Sequence, residues 1–201
     1  MKLKLTIAFT LIFTFQCFAQ NDSLKLPFNK AGFIEYEEIV PVIGISDTTL
    51  FSRAKIALAN IFVSAKDVTQ LSDDVSKTVI TKGLVEVYGK DRKNFMGTFS
   101  TKFGYVSFSM QVQCKNGKYR YIITDLVHKG YPGMNSTYVQ MENGGPLENE
   151  MPNWHISMMG KKKKKEYWNE CKKYTDQQIK YIIADLKLYM IGKTNSTKQD
   201  W

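Results

Sequence analysis

The stretch FGYVSFSMQVQCKNGKYRYIITDLVH, residues 103–128, decides the fold. Two runs rich in aromatic and β-branched residues flank Asn116-Gly117, a pair that tolerates positive φ at both central positions of a two-residue type I′ turn. The expected structure is one long β-hairpin with Lys115 opposite Lys118. In that register Cys114 faces Tyr119, Val112 faces Tyr121, Met110 faces Ile123, and Val106 falls near Val127. Strand side chains alternate between faces, so these residues share an apolar face, interrupted by Asp125 near the open end. The other face reads Tyr105, Ser107, Ser109, Gln111, Gln113, Arg120, Ile122 and Thr124 and is mostly polar. A sheet of this character packs helices on one side and shows water the other.

On the N-terminal side of the hairpin, Thr78–Tyr88 reads as a strand with Val79, Thr81, Gly83, Val85 and Val87 on one face and Lys82 and Glu86 on the other. Gly83 in mid-strand marks a close approach of another element. Asp67–Leu71 is a short strand, turned by Ser72-Asp73-Asp74. Before it, Leu50, Ala54, Ala57, Leu58 and Ile61 recur at helical spacing. They predict a helix from an N-cap at Ser46 to about Ser64, with Asp47 favourable to the dipole in the first turn. Gly32–Val40 is a first strand, placed at or near a sheet edge by Glu35, Glu37 and Glu38. Gly89–Lys102 reads as a basic loop containing Lys90, Arg92, Lys93 and Lys102.

Beyond the hairpin, residues 129–160 show no periodicity and read as a long loop. A second helix is expected over about 166–191, with Trp168, Cys171, Thr175, Ile179, Ile182, Leu186 and Met190 on one face. The run Lys161–Lys165 precedes it, because lysines at a helix N-terminus oppose the dipole. Residues 192–201 are a polar tail. The order β-α-β-β-β-β-α implies an α+β domain over residues 30–191, an antiparallel sheet of about five strands with two helices on one face.

Residues 1–19 have the pattern of a signal peptide. Lys2 and Lys4 form a charged start, Leu5–Phe15 an apolar run, and Cys17-Phe18-Ala19 offers small residues at −3 and −1. Cleavage is expected between Ala19 and Gln20, leaving a polar lead-in over residues 20–29. Gln16 before Cys17 does not suit lipoprotein processing, and the apolar run is too short for a transmembrane anchor. Loss of two lysines and no acid takes the net charge from +9 to +7. Two cysteines remain, Cys114 and Cys171, too few for a disulfide-built scaffold. The topology sets them apart, so no bond between them is expected. The expected location is the periplasm or cell envelope of a Gram-negative bacterium, with no membrane span after signal removal.

Several stretches resemble a family of secreted bacterial proteins known as domain of unknown function 4468, with a TATA-binding-protein-like (TBP-like) fold. They are Gly32-Phe-Ile-Glu-Tyr-Glu, Ser46 with Arg53-Ala54-Lys55, Ala65-Lys66-Asp67-Val68, and the strand around Lys82-Gly83. The most specific is Lys115-Asn-Gly-Lys-Tyr-Arg-Tyr121. The resemblance covers roughly residues 30–128; the family often has a tryptophan in helix one where this chain has Ala57. It implies a TBP-like fold and an envelope location, and brings no catalytic residues.

Chemistry-bearing motifs are sparse. The two histidines, His128 and His155, and the two remaining cysteines show no metal-ligand spacing, so no metal or other cofactor is expected. There is no Gly-x-Ser-x-Gly, no Cys/His signature and no phosphate-binding glycine loop. Glu35 and Glu37 share a strand face, which edge charges explain more simply than glycoside chemistry. No catalytic residue is therefore assigned, and the reading is a non-enzymatic binding module. The rival is a glycan or peptide hydrolase with a scattered site. The candidate ligand-binding residues are Arg120, Lys82, Gln111, Gln113, Ser107, Ser109 and Thr124 on the polar sheet face. Lys161–Lys165 is an alternative basic surface, more simply read as a solvated helix lead-in. The charge suits an anionic envelope component, either a lipid head group or a glycan, or an envelope protein. Export and the absence of aromatic stacking clusters on the polar face count against nucleic acid.

Overall fold

The structure, a computed structural model, describes residues 24–62, 68–94, 97–130, 142–154 and 160–193. Residues 1–19, read as a signal peptide, with the expected cleavage site at Ala19 and Gln20, His155, and the tail from residue 194 lie outside the described residues. The elements are β1 (Tyr36–Pro41), α1 (Asp47–Ile61), β2 (Val68–Asp73), β3 (Thr78–Asn94), β4 (Gly97–Lys115), β5 (Lys118–Lys129), β6 (Gly145–Pro146) and α2 (Lys161–Met190). They form an antiparallel sheet in the order β1-β5-β4-β3-β2, with the short β6 added to β5. The two helices pack on one face of this sheet and against each other, the α+β arrangement expected.

The central hairpin keeps its register near the turn, with Cys114 opposite Tyr119, Val112 opposite Tyr121 and Met110 opposite Ile123. The turn itself differs from type I′. Gly117 has φ +71° while Asn116 is not in the positive-φ region, the pattern of a type II turn. Tertiary contacts account for the change. Asn116 Oδ1 accepts from the Asp47 N–H at 3.0 Å. The Gly117 N–H donates to Ile45 O at 2.9 Å, and its carbonyl accepts from Val42 N at 2.8 Å.

At the open end the expected alternation fails. Val106 pairs with His128, not with Val127, because the ladder shifts between Ser107 and Ser109. Two β5 residues, Asp125 and Leu126, stand where β4 has only Phe108, and Asp125 takes φ +59°. This is a β-bulge with an aspartate in the left-handed position usually filled by glycine. It turns Asp125 to solvent and carries Leu126 and His128 into the core. A second shift on the same end inserts Phe103 between Val87↔Gly104 and Tyr88↔Lys102. It requires glycine at 104, where φ is +121° and a Cβ would sit 2.3 Å from Lys129 O.

His128 is fully buried. Gly144 N–H donates to Nδ1 at 2.9 Å, so Nε2 carries the proton and donates to Phe103 O at 2.8 Å. The rings of Trp154 and Trp168 stand edge-on to it at 5.7 and 5.6 Å. Burial pushes the imidazole below its ordinary pKa of 6.5.

α1 begins where the N-cap residue predicts. Ser46 Oγ accepts from Thr49 N at 3.2 Å, and Leu50, Phe51, Ala54, Ala57 and Leu58 are buried. The helix ends at Ile61, short of Ser64. Its C-cap Phe62 lies against Phe108 with ring centroids 5.8 Å apart. Both rings occupy the space over Gly83, where a Cβ would come within 2.3 Å of Phe108 and 2.8 Å of Phe62. The close approach read from Gly83 is thus met. The basic segment 89–102 is not a loop, because β3 runs on to Asn94 and β4 begins at Gly97. Isolated charges in an extended register do not stop a ladder whose neighbours pair.

α2 starts at Lys161, five residues before the expected position. Three tertiary bonds offset the unfavourable dipole. Lys164 Nζ donates to Trp154 O at 2.7 Å. Trp168 Nε1 and Lys172 Nζ both donate to Asn149 O, at 2.7 and 2.8 Å. Lys165 also pairs with Glu150. The predicted apolar face is buried, with Trp168, Cys171, Thr175, Ile179, Leu186 and Met190 in the core and Ile182 at its margin. At the other end, Arg53 Nη1 of α1 donates to Met190 O at 2.8 Å. Tyr36 Oη bonds buried Asp176 Oδ1 at 2.9 Å, and Lys180 donates to Oδ2 at 2.7 Å, tying β1 to α2. Cys114 and Cys171 are both buried and both free, as the topology required.

Two stability measurements test this account. Asp125→Gly is expected to leave stability unchanged or raise it by up to about 1 kcal/mol, and Asp125→Val to lower it by about 1–2 kcal/mol. Urea unfolding showing equal effects for the two would contradict the bulge. His128 is neutral in both states above pH 6.5, so its contribution is complete there. As pH falls below 6.5 the unfolded chain takes up a proton that the buried imidazole resists, and stability is lost down to the folded pKa. The urea midpoint should fall between pH 7.5 and 5, and His128→Gln should flatten that slope.

Candidate functional site

The sheet face away from the helices is uncovered among the described residues. Its side chains lie in rows defined by the register. One row holds Leu71, Ile80, Gln111, Ile122 and Glu37. On one side of it are Lys82, Ser109 and Thr124; on the other are Gln113, Arg120 and Ile39. Leu84 and Ser107 follow, then Glu86 and Tyr105. All seven residues expected to bind ligand are therefore on this face. Ser107 is the least available, since its hydroxyl donates to Val127 O at 3.3 Å.

Arg120 is not a lone cation. Its Nε lies 2.7 Å from Glu37 Oε1 of β1, with both side chains partly exposed. Lys82 is exposed and has no ion-pair partner among the described residues. At the far end Lys102 pairs with Glu86 at 3.5 Å, and the hydrogen bond to Glu86, aided by burial, pushes the Tyr88 hydroxyl up to about 12. At the turn end, a cavity of about 160 Å³ is lined by Ile39, Gln113, Lys115, Lys118, Tyr119 and Arg120. Sequence reasoning passed over four of these, with Tyr119 read only as part of the apolar face. Ile39 enters only because β1 pairs with β5, which no local pattern reveals. Lys115 and Lys118 were visible as the pair flanking Asn116-Gly117, but were read only for register.

Elsewhere among the described residues, neither the cysteines nor the carboxylates form a reactive cluster. No group of three or more His, Cys, Asp or Glu residues suited to a metal ion occurs among the described residues. Burial pushes the thiols of Cys114 and Cys171 up to about 12, so both are protonated near neutrality and poor nucleophiles. Glu38, on the helix side of β1, accepts from Lys187 and from Tyr121 at 2.6 and 2.8 Å, which holds its carboxyl below the usual range. Among the described residues no helix is long and apolar enough to cross a membrane.

The geometry agrees with what the chain resembles. Residues 36–129, from β1 to the end of β5, match the family described as a domain of unknown function (DUF4468) with TBP-like fold. A DUF4468 family protein from Bacteroides ovatus superposes with a TM-score of 0.58 at 14% identity, covering 86% of this chain and 93% of that one. A TBP-like protein from Parabacteroides distasonis does so with a TM-score of 0.52 at 15% identity, covering 79% and 96%. No curated protein matches the sequence. The family match over residues 36–129, the sheet order and the packing of both helices on one face together show a TBP-like fold.

Proposed function

We propose that the protein is an exported, non-enzymatic binding module of a Gram-negative cell envelope, and that it holds its partner on the open sheet face. The observation that carries this reading is the single-sided helix layer. It leaves five paired strands presenting Lys82, Ser109, Gln111, Gln113, Arg120 and Thr124 as donors and acceptors on a rigid ladder. Ile39 and Leu71, 59% and 48% exposed, add apolar contact at either edge. The cavity on this face is lined by cations, an amide and apolar groups, with no carboxylate or histidine in its wall. That lining suits recognition of an anion better than hydrolysis, which requires an acid and a base at the reacting bond. Export rests on the signal-like pattern of residues 1–19.

Lys82→Glu with Gln111→Glu reverses the charge at the centre of the face. Surface changes of this kind usually stay within about 0.5 kcal/mol each, so folding should be retained. Retention of the protein on isolated envelope material should fall at least severalfold. Lys161→Gln, Lys162→Gln and Lys163→Gln together should leave it unchanged; the opposite pattern would move the binding surface to α2. Mass spectrometry of the envelope-associated protein should find an N-terminus at Gln20. A chain still bearing Met1 would overturn export.

A further inference from the structure

We propose that the turn end of the open face is a binding site for a phosphate monoester group. This deepens the open-face reading and rests on it for location. Lys115 and Lys118 are directly opposed across the hairpin, and both extend the open-face rows of Gln113 and Arg120. Like charges directly opposite on a strand pair are unfavourable, and neither lysine has an ion-pair partner among the described residues that would relieve this. Arg120 follows Lys118 on the same face, its Nε 2.7 Å from the Glu37 carboxylate, and its guanidinium brings further N–H donors to the same end of the face. Gln113, opposite Arg120, adds a neutral amide donor, and Ile39 an apolar wall.

These residues line one cavity of about 160 Å³. Drug-sized ligands occupy roughly 300–1,000 Å³, so this one suits a small charged group. Three cations less the Glu37 carboxylate leave two positive charges. A phosphate monoester brings about −1.5 to −2 at pH 7 and three acceptor oxygens, which the arginine fork and the two ammonium groups match. A carboxylate leaves one cation unbalanced. The site is also preorganised. Asn116 and Gly117 are held from behind by the hydrogen bonds to Val42, Ile45 and Asp47, so the turn backbone needs no ordering on binding.

The mature chain would be titrated with glycerol phosphate while amide resonances are followed by NMR. Saturable shifts should centre on Gln113, Lys115, Lys118 and Arg120. Lys115→Gln/Lys118→Gln should weaken binding at least tenfold while Tm stays level or rises, because the opposed charges are gone. Glycerate, with a carboxylate in place of the phosphate, should bind at least tenfold more weakly than glycerol phosphate. Flotation with phosphatidylcholine vesicles, with and without phosphatidic acid, identifies the source. Lysine-dependent binding only to the phosphatidic acid vesicles assigns a lipid head group, and binding of glycerol phosphate alone assigns a soluble monoester. Shifts centred on Lys161–Lys163, binding unchanged in the double variant, glycerate as tight as glycerol phosphate, or a Tm lowered by several degrees would each overturn the site. If Lys82→Glu/Gln111→Glu abolishes envelope binding while glycerol phosphate leaves residues 113–120 unmoved, the site fails and the open-face reading stands. If glycerol phosphate binds at residues 113–120 but wild type ignores envelope material, the site stands and that reading fails.

Discussion

The extra residue in β5 at Asp125 is the constraint on which the open end of the molecule depends. A strand that kept strict alternation would bury Asp125 and Val127 and expose Leu126 and His128. One left-handed residue reverses this. The cost of a non-glycine residue at φ +59° is met by what it places inside. Leu126 joins the core, and its carbonyl accepts from Leu147 N at 2.9 Å. His128 reaches two backbone groups, Phe103 O and Gly144 N, and ties β4 to the segment before β6.

From this corner the second half of the chain is assembled. Gly144, bonded to His128, leads into β6 and then into the segment whose Asn149 and Trp154 carbonyls receive three donors from α2. Those bonds allow a helix to begin with five lysines. Lys164, Trp168 and Lys172 lie one turn apart along one face, and each points at a carbonyl that loop geometry supplies. Burial without such a partner would cost each of these polar groups about 1–3 kcal/mol. The lysine run is therefore partly structural: Lys164 and Lys165 are engaged, and Lys161, Lys162 and Lys163 remain exposed.

The same asymmetry separates stability from recognition across the sheet. The helix side carries nearly all of the core, from Ile34 to Met190. The open side holds its polar residues in fixed rows and ties four of its charged residues into two ion pairs. Its turn end departs from that economy. Lys115 and Lys118 face one another across the central hairpin, a like-charge pair with no ion-pair partner among the described residues.

The long hairpin, its register at the turn, the cap at Ser46, the buried faces of both helices and the polar character of the open face were all legible in the sequence. Each follows from local chemistry: side-chain alternation in strands, 3.6-residue spacing in helices, and a cap oxygen placed three residues before its donor. Four features were decided only by tertiary structure. The Asn116-Gly117 turn took its form from hydrogen bonds to residues 42–47. α2 gained its first five residues from carbonyls near 150, and β3 and β4 ran through a basic stretch because each had the other to pair with. Ile39 joined Arg120 and Glu37 on the open face because β1 chose β5 as its neighbour. Each depends on groups distant in sequence, and periodicity within a window carries no record of which distant groups will meet.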